Sequence, residues 1–315
     1  MTLITLTDGT RQSFPAGPSL RGSNCGIPGV FRLESGRSGP NVVITALIHG
    51  NEVCGAHALW RLLQEPFVPQ RGCLTLVFCN LDAYALLDDA TKGDRRFVDE
   101  DLNRVWGRLN SAGDSCELQR AREIRAVVCA ADVLLDLHSM TSPAQALGLV
   151  GLAWKNVDFA RRIGFPSLLV RDAGHAAGSR LIDHPRYVDA GTAPVAMLLE
   201  CGEHFSRAAL DAAEEAVKRT IAVFLNDENP APISPQTVIE VTQAVTIETD
   251  SFEFTREWQN MEIVTDADTL IGRDGDREVR TPYDSAYLVM PASSMFRKPG
   301  QTAVRLARRV DTQHL

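Results

Sequence analysis

Residues 41–52, NVVITALIHGNE, constrain this chain more than any other stretch. Val42, Val43, Ile44, Ala46, Leu47 and Ile48 form a short apolar run that is β-branched at its start. That is the pattern of a strand buried on both faces of a parallel sheet. The run stops at His49-Gly50-Asn51-Glu52, where a polar loop passes into a helical pattern. Open α/β sheets bind ligands beyond the carboxyl ends of their strands, so His49 and Glu52 are expected at the edge that carries chemistry. An imidazole and a carboxylate three residues apart can hold one divalent metal.

Two more stretches repeat the design. Residues 133–137, VLLDL, run into His138-Ser139, and residues 195–199, VAMLL, run into Glu200-Cys201-Gly202. A polar residue at a strand–loop junction accounts for His138 alone equally well. Three strand ends that each release a His or Glu, one of them as HxxE, point to a site.

The rest of the chain is read around this frame. Residues 53–63 carry apolar side chains at helical spacing until Pro66 stops the pattern, and His57 within them reads as structural. Residues 73–79, CLTLVFC, form the next strand. Residues 88–108 are polar and charge-dense, and loops of about twenty residues without regular structure are uncommon unless functional. This one holds Arg95, Arg96, Asn103 and Arg104, donors suited to an anion. Residues 114–130 read as a helix opened by a capping box, Asp114 and Glu117. Residues 141–190 carry weaker signals, with a strand at 167–171; His175 and His184 read as loop histidines. His204, four residues after Glu200, could support the site. A helix spans 206–226, and three prolines between 230 and 235 form a semi-rigid linker. The expected domains are a catalytic one over 1–228, with a short β segment at its start, and a small β domain over 236–315.

Net charge is −8 among 315 residues, with no basic face for nucleic acid or an anionic membrane. Arg305, Arg308 and Arg309 read as a solvated tail. Seven cysteines without a CxxC pair fit a reducing compartment, not a disulfide framework. The first residues lack a long apolar segment, and no apolar run approaches the ~20 residues of a membrane span. The expectation is a cytoplasmic protein.

His49, Glu52 and His138 would leave a fourth position open for water, the arrangement of a catalytic zinc. Such an ion lowers the pKa of water and polarises a carbonyl. A general base that is not a ligand is also needed, and Glu200 is the candidate. One arginine near the metal would stabilise an oxyanion and a second would bind a substrate carboxylate; residues 96–104 supply both.

HGNE, DLNR, DLHS and the strand ending in Glu200, in that order, resemble the succinylglutamate desuccinylase and aspartoacylase family, a branch of the zinc-carboxypeptidase superfamily. The resemblance extends to the C-terminal IGRDGDREVRTPYDSAYLVMP stretch. It implies an α/β fold, a carboxypeptidase-like mixed sheet flanked by helices, followed by a small β domain. It implies one zinc per chain on His49, Glu52 and His138, with Glu200 as base and Arg96 polarising the scissile carbonyl. Asn103 and Arg104 would hold the α-carboxylate of a small N-acyl amino acid. Aspartoacylases place a further arginine about ten residues before the catalytic glutamate. Here Ala190 stands there, with Arg186 and Tyr187 nearby, which leaves the acyl group and amino acid open. The expected activity is hydrolysis of an N-acyl amino acid. The rivals are a carboxypeptidase acting on peptide C-termini and a domain that keeps zinc for structure, which would need a fourth protein ligand. Whether the chain forms a homo-oligomer is left open.

Overall fold

Unbroken apolar runs, buried on both faces, build the centre of the first of two units. The computed structural model describes residues 1–311 and divides into two compact units. The first comprises Met1–Leu169 and Gly174–Gln236; the second takes Val170–Ala173 and the chain from Thr237 onward.

The first unit starts with a hairpin, β1 (Thr2–Thr5) and β2 (Arg11–Phe14), and a one-turn helix α1 (Gly17–Leu20). Then come β3 (Val30–Glu34), β4 (Asn41–Ala46), helix α2 (Val53–Gln64), β5 (Cys73–Phe78), α3 (Leu81–Ala85) and α4 (Cys116–Val128). β6 (Val133–Met140), β7 (Leu147–Leu149), α5 (Trp154–Ile163), β8 (Leu168–Arg171, its last two residues counted with the second unit), α6 (Pro185–Val188), β9 (Val195–Glu203) and α7 (Arg207–Leu225) follow. The sheet runs β7-β9-β6-β4-β5-β3. Its middle four strands are mutually parallel, and β7 and β3 pair antiparallel at the two sides. Every residue of β5 and β6 is buried, which is why these strands read as unbroken apolar runs. Each fully buried large aliphatic side chain there contributes about 1.5–3 kcal/mol.

Helices α2, α5 and α7 pack on this sheet, and α2 also packs on α7. Gly55 lets α2 approach: a Cβ there would lie 2.8 Å from the Cβ atoms of both Ala46 and Leu137. His57, on the same helix, is buried with Nε2 3.1 Å from Glu214 of α7, in line with a structural role. Helix α4 is not opened by Asp114. Ser115 is its N-cap and accepts from Leu118 N at 3.2 Å, while Glu117 turns inward to another task. The proline-rich segment is strapped to its own unit, with Ile233 N donating to Gly164 O and Gln236 Nε2 to Ala160 O and Pro166 O.

The second unit is antiparallel. β10 (Thr237–Thr246) pairs with β16 (Thr302–Arg309), which pairs with β15 (Ala286–Val289), and that with β12 (Glu262–Val264). β11 (Phe252–Phe254), β13 (Leu270–Asp274) and β14 (Arg277–Arg280) form a three-stranded sheet. Val245, Ile247, Phe252, Ile271, Leu288 and Leu306 lie in its core. Arg305, Arg308 and Arg309 are therefore not a tail; they are residues of β16, register partners of Ala244, Glu240 and Ile239.

Candidate active site

The carboxyl end of β4 is turned by Leu47, a buried leucine at φ +60. That left-handed conformation costs a branched side chain roughly 1–3 kcal/mol and persists only where the surroundings impose it. Asn80 N donates to Leu47 O at 2.7 Å from the end of β5, one restraint that holds the turn. The turn delivers His49, and α2 begins directly after Glu52.

His49, Glu52 and His138 meet with one ligand atom from each within 4.8 Å of the others, and all three are buried. Glu52 bridges the two imidazoles: Oε1 is 2.8 Å from His49 Nδ1 and Oε2 is 2.8 Å from His138 Nδ1. The far ring nitrogens are taken by other carboxylates. His49 Nε2 lies 2.9 Å from Asp101 Oδ1, and His138 Nε2 lies 3.0 Å from Asp136 Oδ2. Asp136 is wholly buried, and Thr45 Oγ1 donates to its other oxygen at 2.6 Å. Carboxylates on the far nitrogens fix tautomer and ring orientation in metal-binding histidines. The donor set therefore fits one divalent ion: two Nδ1 atoms and a carboxylate converge, each imidazole already oriented.

Glu200 is the register partner of His138 on the neighbouring parallel strand. Its Oε2 is buried and has no hydrogen-bond partner among the described residues. Burial, then the nearby Glu52 charge, pushes its carboxyl up to about 8. Burial alone would raise Glu52 too, but His49 and His138 outweigh it and hold that carboxyl well below the usual range.

The loop after β5 comes to the cluster from the other side. Arg96 donates from Nη1 to Glu52 Oε1 at 3.2 Å and from Nη2 to Asp101 Oδ2 at 3.1 Å. Gly50 makes room for this loop, since a Cβ there would sit 2.6 Å from Arg95 O, and Gly50 N donates to Arg96 O. Asn103 is buried, and its Oδ1 accepts from Leu181 N at 2.9 Å, which leaves Nδ2 as its donor. Arg104 Nη1 donates to Asn103 O at 2.8 Å. Of the sequence-derived residues of this loop, Arg96 touches the cluster directly, while Asn103 and Arg104 follow Asp101, whose Oδ1 meets His49.

Three supporting residues escaped the sequence reading. Asp136 stands two residues before His138, on the same strand face by the period of two, so the DLH triplet carried the signal. Asp101 lies within DLNR. Glu117 looked like a capping residue, yet it is wholly buried and fills both carboxylate oxygens. Oε1 accepts from Asn80 Nδ2 at 2.9 Å and Val98 N at 2.7 Å; Oε2 accepts from Asp99 N at 3.1 Å and Glu100 N at 3.2 Å. It folds the segment between Arg96 and Asp101.

Arg186, Tyr187 and His184 belong elsewhere. Arg186 Nη2 donates to Ala131 O at 3.4 Å, the Tyr187 hydroxyl donates to Val128 O, and His184 Nδ1 accepts from Arg186 N. Those contacts lie at the amino end of β6, about 20 Å from His138 at some 3.3 Å per residue. They do not replace the arginine missing at Ala190. His175 Nδ1 accepts from Ala177 N within its own turn.

A mixed sheet flanked by helices, with a carboxylate-braced His–Glu–His cluster at the carboxyl ends of its central parallel strands, defines an α/β protein with a candidate metal centre. The chain belongs to the succinylglutamate desuccinylase/aspartoacylase family, whose catalytic-domain model matches residues 38–224. It is 32% identical over 131 residues to the rat N-acyl-aromatic-L-amino acid amidohydrolase (carboxylate-forming), covering 38% of this chain and 37% of that protein. It is 35% identical over 109 residues to a probable aspartoacylase of Parasynechococcus marenigrum, covering 32% of this chain and 34% of the relative. The matches thus span little more than a third of those proteins. The crystal structure of succinylglutamate desuccinylase from Vibrio cholerae shares the fold, with a TM-score of 0.70 at 16% identity over 100% of this chain and 92% of that one. No helix of the described residues is long and apolar enough to cross a membrane.

Proposed function

We propose that this protein is a zinc-dependent hydrolase that cleaves the amide bond of a small N-acyl amino acid. The observation that carries this reading is the convergence of His49, Glu52 and His138 beside Glu200, whose Oε2 is buried and has no hydrogen-bond partner among the described residues. The family and its amidohydrolase relatives support the bond type.

His49 Nδ1, His138 Nδ1 and the Glu52 carboxylate would hold the ion, with Asp101 and Asp136 keeping both rings in place. A zinc ion there supplies Lewis acidity and an acidified water. Glu200 Oε2 takes the proton as the water oxygen bonds to the amide carbon, and later delivers it to the nitrogen as the C–N bond breaks. A nearby dication favours the ionised carboxylate, which opposes the effect of burial on Glu200. The Arg96 guanidinium meets the charge that develops on the carbonyl oxygen. Asn103 Nδ2 and the planar fork of Arg104 hold the substrate α-carboxylate. A reducing, cytoplasmic location is part of this reading and is supported by seven free cysteines.

The test is amine release from a panel of N-acetyl, N-succinyl and N-formyl amino acids by the metal-loaded protein. Hydrolysis of at least one group of them is expected. Cleavage of peptide C-termini in preference to every N-acyl amino acid would favour a carboxypeptidase.

A further inference from the structure

The reaction as written gives no task to residues 174–183, yet this segment lies against both residues assigned to the substrate carboxylate. Asn103 Oδ1 accepts from Leu181 N at 2.9 Å. Val105, next to Arg104, forms a parallel bridge with Ser179. Gly178 has φ +145, and a Cβ there would sit 2.3 Å from Arg104 O. Gly107 meets the same turn, since a Cβ on it would lie 2.6 Å from Ser179 Oγ. Residues 103–107 and 178–181 are therefore in direct contact, and two glycines permit the close approach.

The turn is itself braced. Asp183 Oδ2 accepts from the backbone N of Arg180 at 2.9 Å and from its Nε at 3.0 Å, while Oδ1 accepts from Nη2 at 2.8 Å. Asp183 N donates back to Arg180 O at 3.1 Å across the one-turn 3-10 helix Leu181–Asp183. The Arg180 side chain is buried, and charge-assisted bonds of this kind are roughly twice as strong as neutral ones. Gly174, at φ +96, leaves room for the carboxylate, because a Cβ there would come within 3.1 Å of Asp183 Oδ2. Leu181 and Ile182 are buried, and their short helix packs on β6 and β9, the strands that bear His138 and Glu200.

The loop that carries the anion site has little regular structure of its own. Leu102–Arg104 is a single 3-10 turn, whose hydrogen bonds are poorer than those of an α-helix. Its placement therefore depends on neighbours. Asn103 is held on its backbone N by Asp101 Oδ1 at 2.7 Å and on its side-chain oxygen by Leu181. The turn thus touches the strands of the proposed ligand and base as well as the loop of the proposed carboxylate site.

We propose that the Gly178–Asp183 turn is a positioning element for the substrate carboxylate. The Leu181 N–H orients the Asn103 amide, Gly178 sets where the Arg104 backbone lies, and the Asp183–Arg180 pair holds the turn in shape. The proposal rests on the N-acyl amino acid reading and on the assignment of Asn103 and Arg104 within it.

The experiment compares wild type, Gly178→Ala and Asp183→Asn, all metal-loaded, on one N-acyl amino acid as free acid and as methyl ester. Zinc content and melting temperature are measured alongside. In Gly178→Ala the new methyl must displace Arg104 O, so KM for the free acid should rise about tenfold while kcat stays within about twofold of wild type. The ester offers no carboxylate, so its kcat/KM should match wild type and the penalty for esterification should shrink. Asp183→Asn loses the charge that Arg180 meets and should shift KM in the same direction by less. A merely structural role would instead lower the melting temperature and impair acid and ester alike. Wild-type KM for the free acid in a folded Gly178→Ala protein would overturn the proposal, as would equal impairment of both substrates. If Gly178→Ala does not fold, Asp183→Asn carries the test, and wild-type kinetics there would overturn it. Unchanged variants beside a wild type that strongly prefers the free acid would defeat this proposal alone. A wild type that cleaves acid and ester equally would defeat the Asn103 and Arg104 assignment, and one that hydrolyses no N-acyl amino acid would defeat the activity reading; either takes the proposal with it.

Discussion

His138 and Glu200 are register partners on adjacent parallel strands, β6 and β9. Strands in a sheet lie about 4.8 Å apart and register partners leave the same face, so this pairing puts the proposed base beside a proposed ligand. A one-residue slip would send one of the two side chains to the opposite face.

Metal content is the first expectation. Purified protein should carry close to one zinc or similar ion per chain, and His138→Ala should lose most of it. Asp136→Asn keeps the shape of the brace but not its charge, and should weaken affinity by about 10–100-fold. Elemental analysis with chelator competition measures both, and wild-type zinc retention in His138→Ala would remove this residue from the ligand set.

Glu200→Gln keeps volume and should keep the metal. It removes the group that moves the proton twice, so kcat should fall toward the upper end of the usual range of about 10²–10⁴-fold. Activity needs the ionised carboxylate and should therefore fall as pH drops through the pKa of Glu200. That acid limb of kcat/KM should vanish from the residual activity of the variant.

Two arginine variants should differ in kind. Arg104→Lys keeps the charge but loses the bidentate fork, and should raise KM roughly tenfold with little change in kcat. Arg96→Lys should mainly lower kcat, because its charged partner develops only as the bond is attacked. Steady-state kinetics with free-acid and methyl-ester substrates checks the assignment. Esterification should hurt wild type far more than Arg104→Lys.

Glu117→Gln tests how the substrate loop is held. The amide nitrogen cannot accept, so two of the four hydrogen bonds lose their acceptor, at about 1–3 kcal/mol for each unsatisfied donor. Thermal stability should drop and KM should rise, although Glu117 touches neither the ligands nor the proposed anion site. A variant with wild-type melting temperature and KM would show that the loop holds its shape without this anchor.

His204 gives a stability profile with a defined sign. Burial draws its folded pKa down to about 4, below the unfolded value near 6.5. Between those values the unfolded chain binds a proton that the folded chain does not. The contribution of the neutral ring is therefore present above pH 6.5 and lost as pH falls toward 4, up to about 3 kcal/mol. Denaturant titrations at pH 7.5 and 4.5 should show a smaller difference for His204→Gln than for wild type.

Local sequence carried the existence of β4, β5, β6 and β9 and the polar residue at each strand end, because burial on both faces writes itself as an apolar run. It also carried helix α7 with Ser206 as its cap, since capping and period act within a few residues. Other features depended on partners distant in the chain. Glu117 read as a capping residue because Val98, Asp99 and Glu100, the donors it serves, become its neighbours only when α4 docks. Arg305, Arg308 and Arg309 read as a tail because a strand with charged residues acquires its identity from the strand it pairs with, here β10. Arg186 and Tyr187 looked close to Glu200 along the chain, yet β9 runs between them and places them at opposite ends of the sheet. The His204 ring likewise meets the hydroxyl of Ser139, 65 residues away in the chain. Short-range periodicity decided which residues stand at strand ends, whereas strand order and register decided which of them meet.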